Sequence, residues 1–421
     1  MDERKMTRQH WTMILVCCGL VATCIGLCYN SYGMYYTPLC ERLGVGRAKV
    51  AVHATIFSLV VGFVNPLVFK LLKRVHIRVI TSAGAVLTAL TFIWMGYVRS
   101  VIELGLIGVI RGIGVSCIYL PIVTVLLGNW FSRGRGLITS IVMSFSGIAG
   151  VIFSSCLAAL IGTVGFTRSC YICSLFVALM TLPGCLFFIE LMPKDKGLRP
   201  ADISRGATDS RATLPEERTE YHELRTVSAM FLMLILLAAI FSAITGFTAH
   251  FAGMAEWLGM GTMFGATMVS AVMVGNILSK LIAGVLVERF GIYRSLYMII
   301  GVATVGLFLI MVGQKMPALL LIGAALYGSS NSLGPVGFSL LSRQLYGNEK
   351  YGPVYSLVCL SISISYAVSL VAIGAAFDRS GNYTGILLCG LILALVGAVI
   401  VLIESRLDRK EELIIEEDES V

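Results

Sequence analysis

The chain has 421 residues, enough for two or three soluble domains, yet 57% are hydrophobic, only 13% are charged, and mean hydropathy is +0.87. Its apolar runs repeatedly reach the ~20 residues that a helix needs to cross a bilayer, which excludes a water-soluble globular protein. The net charge of +8 does not mark a nucleic-acid binder, because most of the cations lie in short loops between apolar runs and not on one basic face.

Taken in order, Met1 to Gln9 is charged and leads into an apolar run from Trp11 that is long enough for a first span, so no cleavable signal peptide is expected. The pattern predicts an all-α membrane protein with twelve transmembrane helices, at 12–37, 49–72, 79–98, 103–127, 137–161, 168–190, 226–250, 261–287, 295–313, 316–341, 352–376 and 383–403. These are called spans 1 to 12 below. Residues 191–225 differ in kind, with Lys194, Asp195, Lys196, Arg199, Pro200, Pro215, Glu216, Glu217 and Arg218. The organisation expected is an N-terminal six-helix bundle (1–190), a cytoplasmic linker (191–225), a C-terminal six-helix bundle (226–403) and an acidic cytoplasmic tail (404–421). The acids from Glu411 to Glu419 read as a solvated terminus, with a docking tail as the alternative.

With both termini cytoplasmic, most of the 32 Lys and Arg fall in cytoplasmic segments, as the positive-inside rule requires. A multi-pass protein of the plasma membrane is expected. The halves repeat. Pro66 to Arg74 after span 2 matches Gly284 to Arg289 after span 8, and Arg135-Gly136 and Tyr351-Gly352 open spans 5 and 11 at a similar offset. A six-span unit repeated in parallel is a transporter architecture, with substrate held near the midplane between halves.

Lys280 is the most informative residue. It lies inside span 8, where a charge costs roughly 3 kcal/mol on insertion scales unless it faces a polar cavity. Arg111 is the other strong charge at comparable depth, and no Asp or Glu lies well inside an expected span. Cations without acids at depth point to an anionic substrate. The competing reading of Lys280 is snorkelling, since it lies about 10 Å from the cytoplasmic end of span 8 at 1.5 Å per residue. Arg111 reads either as a substrate or coupling group or as a bond between helix ends. Tyr29, Asn30, Tyr119, Tyr327 and Asn331 supply apolar walls with polar tips suited to a small organic anion, and equally suited to bonding helices together. His53 and His250, near the outer surface, read as structural.

The twelve cysteines are scattered through apolar runs and behave as small hydrophobes. Cys170-x-x-Cys173 has no second pair or His nearby, so neither metal nor cofactor is expected. Gly108-x-x-x-Gly112 and Gly147-x-x-Gly150 permit helix contact, and Gly112-Ile-Gly114 is no nucleotide loop because no strand precedes it. No nucleophile, metal set or acid pair marks an enzyme. The expected partners are a small organic anion and the lipid bilayer, with no nucleic acid, and the protein is expected to be a monomer.

The loop after span 8, Gly284-x-Leu286-x-Glu288-Arg289-x-Gly291 followed by Arg294, resembles the loop motif of the major facilitator superfamily. That resemblance implies a cytoplasmic latch built from Lys73, Arg74, Arg135, Glu288, Arg289 and Arg294. The first-half copy departs from the pattern, with Lys73 where an acid is usual and Phe69 where a glycine is usual. A narrower resemblance is to the monocarboxylate and oxalate/formate transporter branch. It rests on Arg111-Gly-Ile-Gly114, Tyr119-x-Pro121, Trp130-Phe131-x-Arg133-Gly-Arg135-Gly, Ser144-x-x-Gly147-x-x-Gly150, Asp378-x-Ser380-Gly381-x-Tyr383 and Tyr29-Asn30-Ser-Tyr32-Gly33.

The branch places a cation in span 8 that pairs with the substrate carboxylate, and Lys280 occupies that position. Lysine keeps the charge of the more usual arginine but loses its two-point grip. Proton-linked members resemble Asp-x-x-x-Arg here, whereas this chain reads Asn276-x-x-x-Lys280. Asn276 shares a helix face with Lys280 and cannot carry a proton. Span 11 reads Ser361-Ile-Ser363-Ile-Ser365-Tyr366, without the lysine of oxalate exchangers. The function expected is secondary transport of a monocarboxylate-like anion, by exchange or uniport. The alternatives are a non-transporting nutrient sensor and an exporter of amphipathic compounds.

Overall fold

A chain in lipid must satisfy its backbone internally, and this one does so almost entirely through helices. The structure, a computed structural model, describes residues 6–202 and 224–419; the middle of the expected linker and the extreme ends lie outside them. Among the described residues, eleven helices are long and apolar enough to cross a membrane. The remaining expected crossing, span 10, is present but divided into a helix Pro317–Tyr327, a 3-10 segment Gly328–Ser332 and a π-helical segment Leu333–Phe338. The helix Ser339–Ser380 then carries the end of span 10 and all of span 11, kinked at Gly347, whose φ of 64° falls in the left-handed region.

The bundles present an apolar outer surface around an interior that also holds polar side chains. Leu15, Phe63, Leu175, Phe187 and Val371 are exposed, while Thr81, Thr88, Ser140 and Ser144 are buried. Thr81, Thr88 and Ser144 return their hydroxyls to carbonyls one turn back, so their polar atoms cost little in the interior. Such an outer surface is stable against lipid and not against water.

The chain divides into two compact units, Met1–Ser210 with Tyr355–Ile364, and Arg211–Val354 with Ser365–Val421. In the first, one end is tied by a polar clamp. A short strand Phe131–Arg133 pairs in parallel with Ala201–Asp202 of the linker. Around it, Trp130 Nε1 donates to the Glu190 carbonyl (2.9 Å), Asn129 Nδ2 to the Leu191 carbonyl (3.0 Å), and His10 Nε2 meets the Arg199 carbonyl (3.1 Å). Arg78 binds the Glu190 carboxylate at 2.5 Å, and His76 approaches the other oxygen at 3.2 Å. The beginning of the expected linker is thus fixed to the first unit.

Two expectations need correction. The helix of span 12 runs Tyr383–Glu419, so the expected tail continues the helix through Glu419. And an acid does lie deep at its end: Glu404 is wholly buried, with no hydrogen-bond partner on either carboxylate oxygen. The sequence placed it just past an expected span end, where a carboxylate ordinarily faces water.

Candidate substrate site

Five spans lose regular α-helical geometry; span 6 does so in a π-helical segment Gly184–Phe188, and the other four recur at every third position. Span 1 turns π-helical over Ala22–Asn30. Span 4 breaks between Val101–Ser116 and Leu120–Trp130, with Tyr119 extended and Pro121 in the first turn of the second piece. Span 7 ends in a 3-10 segment Gly246–His250, and span 10 in the two segments described above. Irregular backbone at membrane depth is tolerated where it lies within protein or lines a cavity, and in transporters such breaks carry the binding groups. The five tyrosines and asparagines singled out in the sequence all lie at or beside these breaks.

In the first unit, Tyr29 lies at the end of the π-helical stretch, its ring 4.7 Å from Phe57 and 5.9 Å from Tyr119. Asn30 donates to the Ser146 carbonyl of span 5 (3.0 Å), and Gly150 is needed there because a Cβ would come within 2.9 Å of the Asn30 side chain. The structure therefore brings Tyr29 and Tyr119 together on one aromatic wall and commits the Asn30 amide to a helix contact. Arg111 is fully buried against span 3. Its Nε donates to Thr91 Oγ1 (3.1 Å), Nη2 to the Thr91 carbonyl (3.3 Å), and the guanidinium lies 4.2 Å from the Phe92 ring centre, while Nη1 has no partner. Most of its hydrogen-bonding capacity is used in holding spans 3 and 4 together.

In the second unit, Asn276 and Lys280 occupy successive turns of span 8, and both are buried. Span 8 meets the break in span 10 at very short range: a Cβ on Gly328 would lie 2.2 Å from the Val272 carbonyl oxygen. Ser279 donates to the Ser329 carbonyl (3.3 Å) and pairs with Ser332 Oγ at 2.8 Å. The Asn276 Oδ1 acceptor is buried and has no donor, and the Ser330 hydroxyl likewise has no partner. Tyr327 donates to the Ile244 carbonyl (2.7 Å) and receives Thr248 (3.4 Å), joining spans 7 and 10 at their breaks. Asn331 Nδ2 reaches the Gly328 carbonyl at 3.4 Å. The result is a buried lysine one helical turn from an orphaned amide oxygen, on a helix that Ser279 joins to the serine-rich break. Such a set can grip a carboxylate and accept a hydrogen bond from a group next to it.

Sequence reasoning missed Thr248, Ser279, Ser330 and Ser332. The run Gly328-Ser-Ser-Asn-Ser332 followed by Pro335 was the available signal, since it is a poor α-helix former inside an apolar span. His53 and His250 make backbone contacts, to the Leu104 carbonyl (2.6 Å) and the Leu370 carbonyl (3.1 Å), and His53 stacks on Tyr32. Of the latch residues, Lys73, Arg74, Glu288, Arg289 and Arg294 are exposed at helix ends, and Arg135 Nε donates to the Phe131 carbonyl.

Residues 18–361 match the sequence profile described as the Major Facilitator Superfamily. The MFS-type transporter pytF of Aspergillus terreus is 24% identical over 62% of this chain and 84% of its own length. Human monocarboxylate transporter 11 is 23% identical over 89% of this chain and 79% of that protein. Among solved structures, the human organic anion transporter MFSD10 (TETRAN) superposes with a TM-score of 0.73 at 14% identity, covering 94% of this chain and all of that one. The chain belongs to the Major Facilitator Superfamily. It is a membrane-spanning transporter of the twelve-helix type, and monocarboxylate transporters are among its relatives.

Proposed function

We propose that the protein moves a small, monocarboxylate-like organic anion across the plasma membrane by alternating access, as an exchanger or uniporter, acting as a monomer with both termini in the cytoplasm. The observation that carries this reading is Lys280, buried in span 8 one turn from Asn276, on the helix that Ser279 ties to the serine-lined break of span 10. A buried ammonium at membrane depth favours an anionic ligand and repels a cationic one. Within the first unit, the rings of Tyr29, Phe57 and Tyr119 form an apolar surface of the kind that small-molecule sites use. Two similar proteins, one a monocarboxylate transporter and the other an organic anion transporter, support the same substrate class. Asn276 stands where proton-linked relatives carry an acid, which favours exchange or uniport over a proton relay at this site.

The test is uptake of radiolabelled short carboxylic acids into proteoliposomes, with and without unlabelled acid inside. Uptake that needs Lys280 supports the reading, and stimulation by internal acid marks exchange. Equal uptake by Lys280→Gln and the parent protein would show that the Lys280 amine does not bind the substrate.

A further inference from the structure

Glu190 and Glu404 lie at the ends of the last expected spans of their respective repeats, one repeat length apart, but they have different neighbours. In the first half, Arg78 and His76 both bind the Glu190 carboxylate. Aligning Arg74 with Arg289 places Gly291 where His76 stands and Tyr293 where Arg78 stands, so the second repeat lacks both of those cations. Glu404 has nevertheless gone further into the protein. It is 0% exposed and neither oxygen receives a donor, whereas Glu190 keeps 8%.

We infer that Glu404 is a proton-binding site, its carboxyl holding a proton in the packing seen here and releasing it to water only when the end of span 12 loosens from spans 7 and 9. An ionised carboxylate buried without a protein donor is far costlier than the neutral acid. No described side chain around it donates a hydrogen bond to either oxygen. Span 9, which packs against span 12, offers Tyr293, Arg294 and Tyr297, and Arg294 is exposed. Span 7, also packed on span 12, brings Arg225 in its first turn. The helix carrying span 11 brings Arg343, which stacks on Tyr351 at 4.3 Å, and Gln344, which donates to Asp408 at 3.0 Å. On span 12 itself Arg406 is exposed, Arg409 follows, and the nearest acid, Asp408, lies one turn on and is 2% exposed. A second charge at that spacing is unfavourable. A metal ion is a poorer occupant than a proton, because no group of three or more His, Cys, Asp or Glu among the described residues could hold one.

Acid therefore favours the packed end of span 12 and alkaline conditions favour the loosened one, whatever the substrate. The experiment is pH-dependent infrared difference spectroscopy of the full chain in proteoliposomes, with backbone amide exchange of 400–408 measured in parallel and corrected for its intrinsic pH dependence. The expected result is a protonated-carboxyl band that Glu404→Gln removes, Glu404→Asp shifts and Glu190→Gln leaves. Amide exchange should quicken at alkaline pH in the parent protein and become pH-independent in Glu404→Gln. A band that survives in Glu404→Gln, or exchange that keeps its pH dependence in that variant, overturns the proposal. No transported substrate is needed, so this result is independent of the test of Lys280.

Discussion

Substituting Gly275 by alanine should separate span 8 from span 10 and do so at the candidate site. A Cβ built there lies 1.7 Å from the Ala325 carbonyl oxygen and 2.8 Å from its carbon, distances that real side chains do not reach. The obstacle is helix backbone, so it cannot rotate away. To restore even a 3.0 Å contact, the helices must part by roughly 1.3 Å or the local turn must deform, which places the cost at the upper end of ordinary overpacking, about 3 kcal/mol. The same movement displaces Asn276, the next residue, and pulls Ser279 from Ser332, now 2.8 Å away. The assay is thermal unfolding in detergent together with proteoliposome uptake. Gly275→Ala should unfold well below the parent protein and lose most uptake. Gly301→Ala in span 9, where a Cβ meets nothing within 4 Å, should change neither. If Gly275→Ala unfolds and transports like the parent protein, close approach of spans 8 and 10 does not position the site.

Lys280→Gln should abolish anion uptake with expression retained, while Lys280→Arg keeps part of it, as measured by labelled-acid uptake beside quantification of protein in the membrane. Asn276→Asp restores an ionisable group one turn from Lys280 and should change the pH dependence of uptake; pH profiles identical to the parent protein's would separate Asn276 from coupling. Trp130→Phe removes the hydrogen bond to the Glu190 carbonyl from a fully buried site and should lower stability by about 1 kcal/mol. Limited proteolysis of 191–202 should then become faster, and an unchanged rate would show that the clamp is held by its other bonds.

The spans were legible because lipid demands long apolar runs, and Lys280 because a charge in such a run is rare. The breaks were only partly legible. Pro121 and the Gly328-to-Ser332 run announce irregular backbone, but Ala22–Asn30 is made of residues that an α-helix accepts, and its π-helical form lies in how span 1 packs against span 5. The paired strands Phe131–Arg133 and Ala201–Asp202 are too short to show any alternation. Glu404 was missed for another reason. One residue past an expected span, it reads as part of the acidic tail, and its burial comes from neighbours distant in sequence.

The clamp at the end of the first unit has a consequence for biogenesis. Every group it uses, from His10 through Arg78, Trp130 and Glu190 to Ala201, is synthesised before span 7 begins. Membrane proteins emerge from the ribosome N-terminus first, and domains made first fold first. A chain that has been extended only to Asp202 already holds both strands and all their tethers, so the first six helices can be sealed at one end while the rest is still being translated. A chain released after Asp202 should therefore resist protease at 191–202, whereas one released before Ala201 should not.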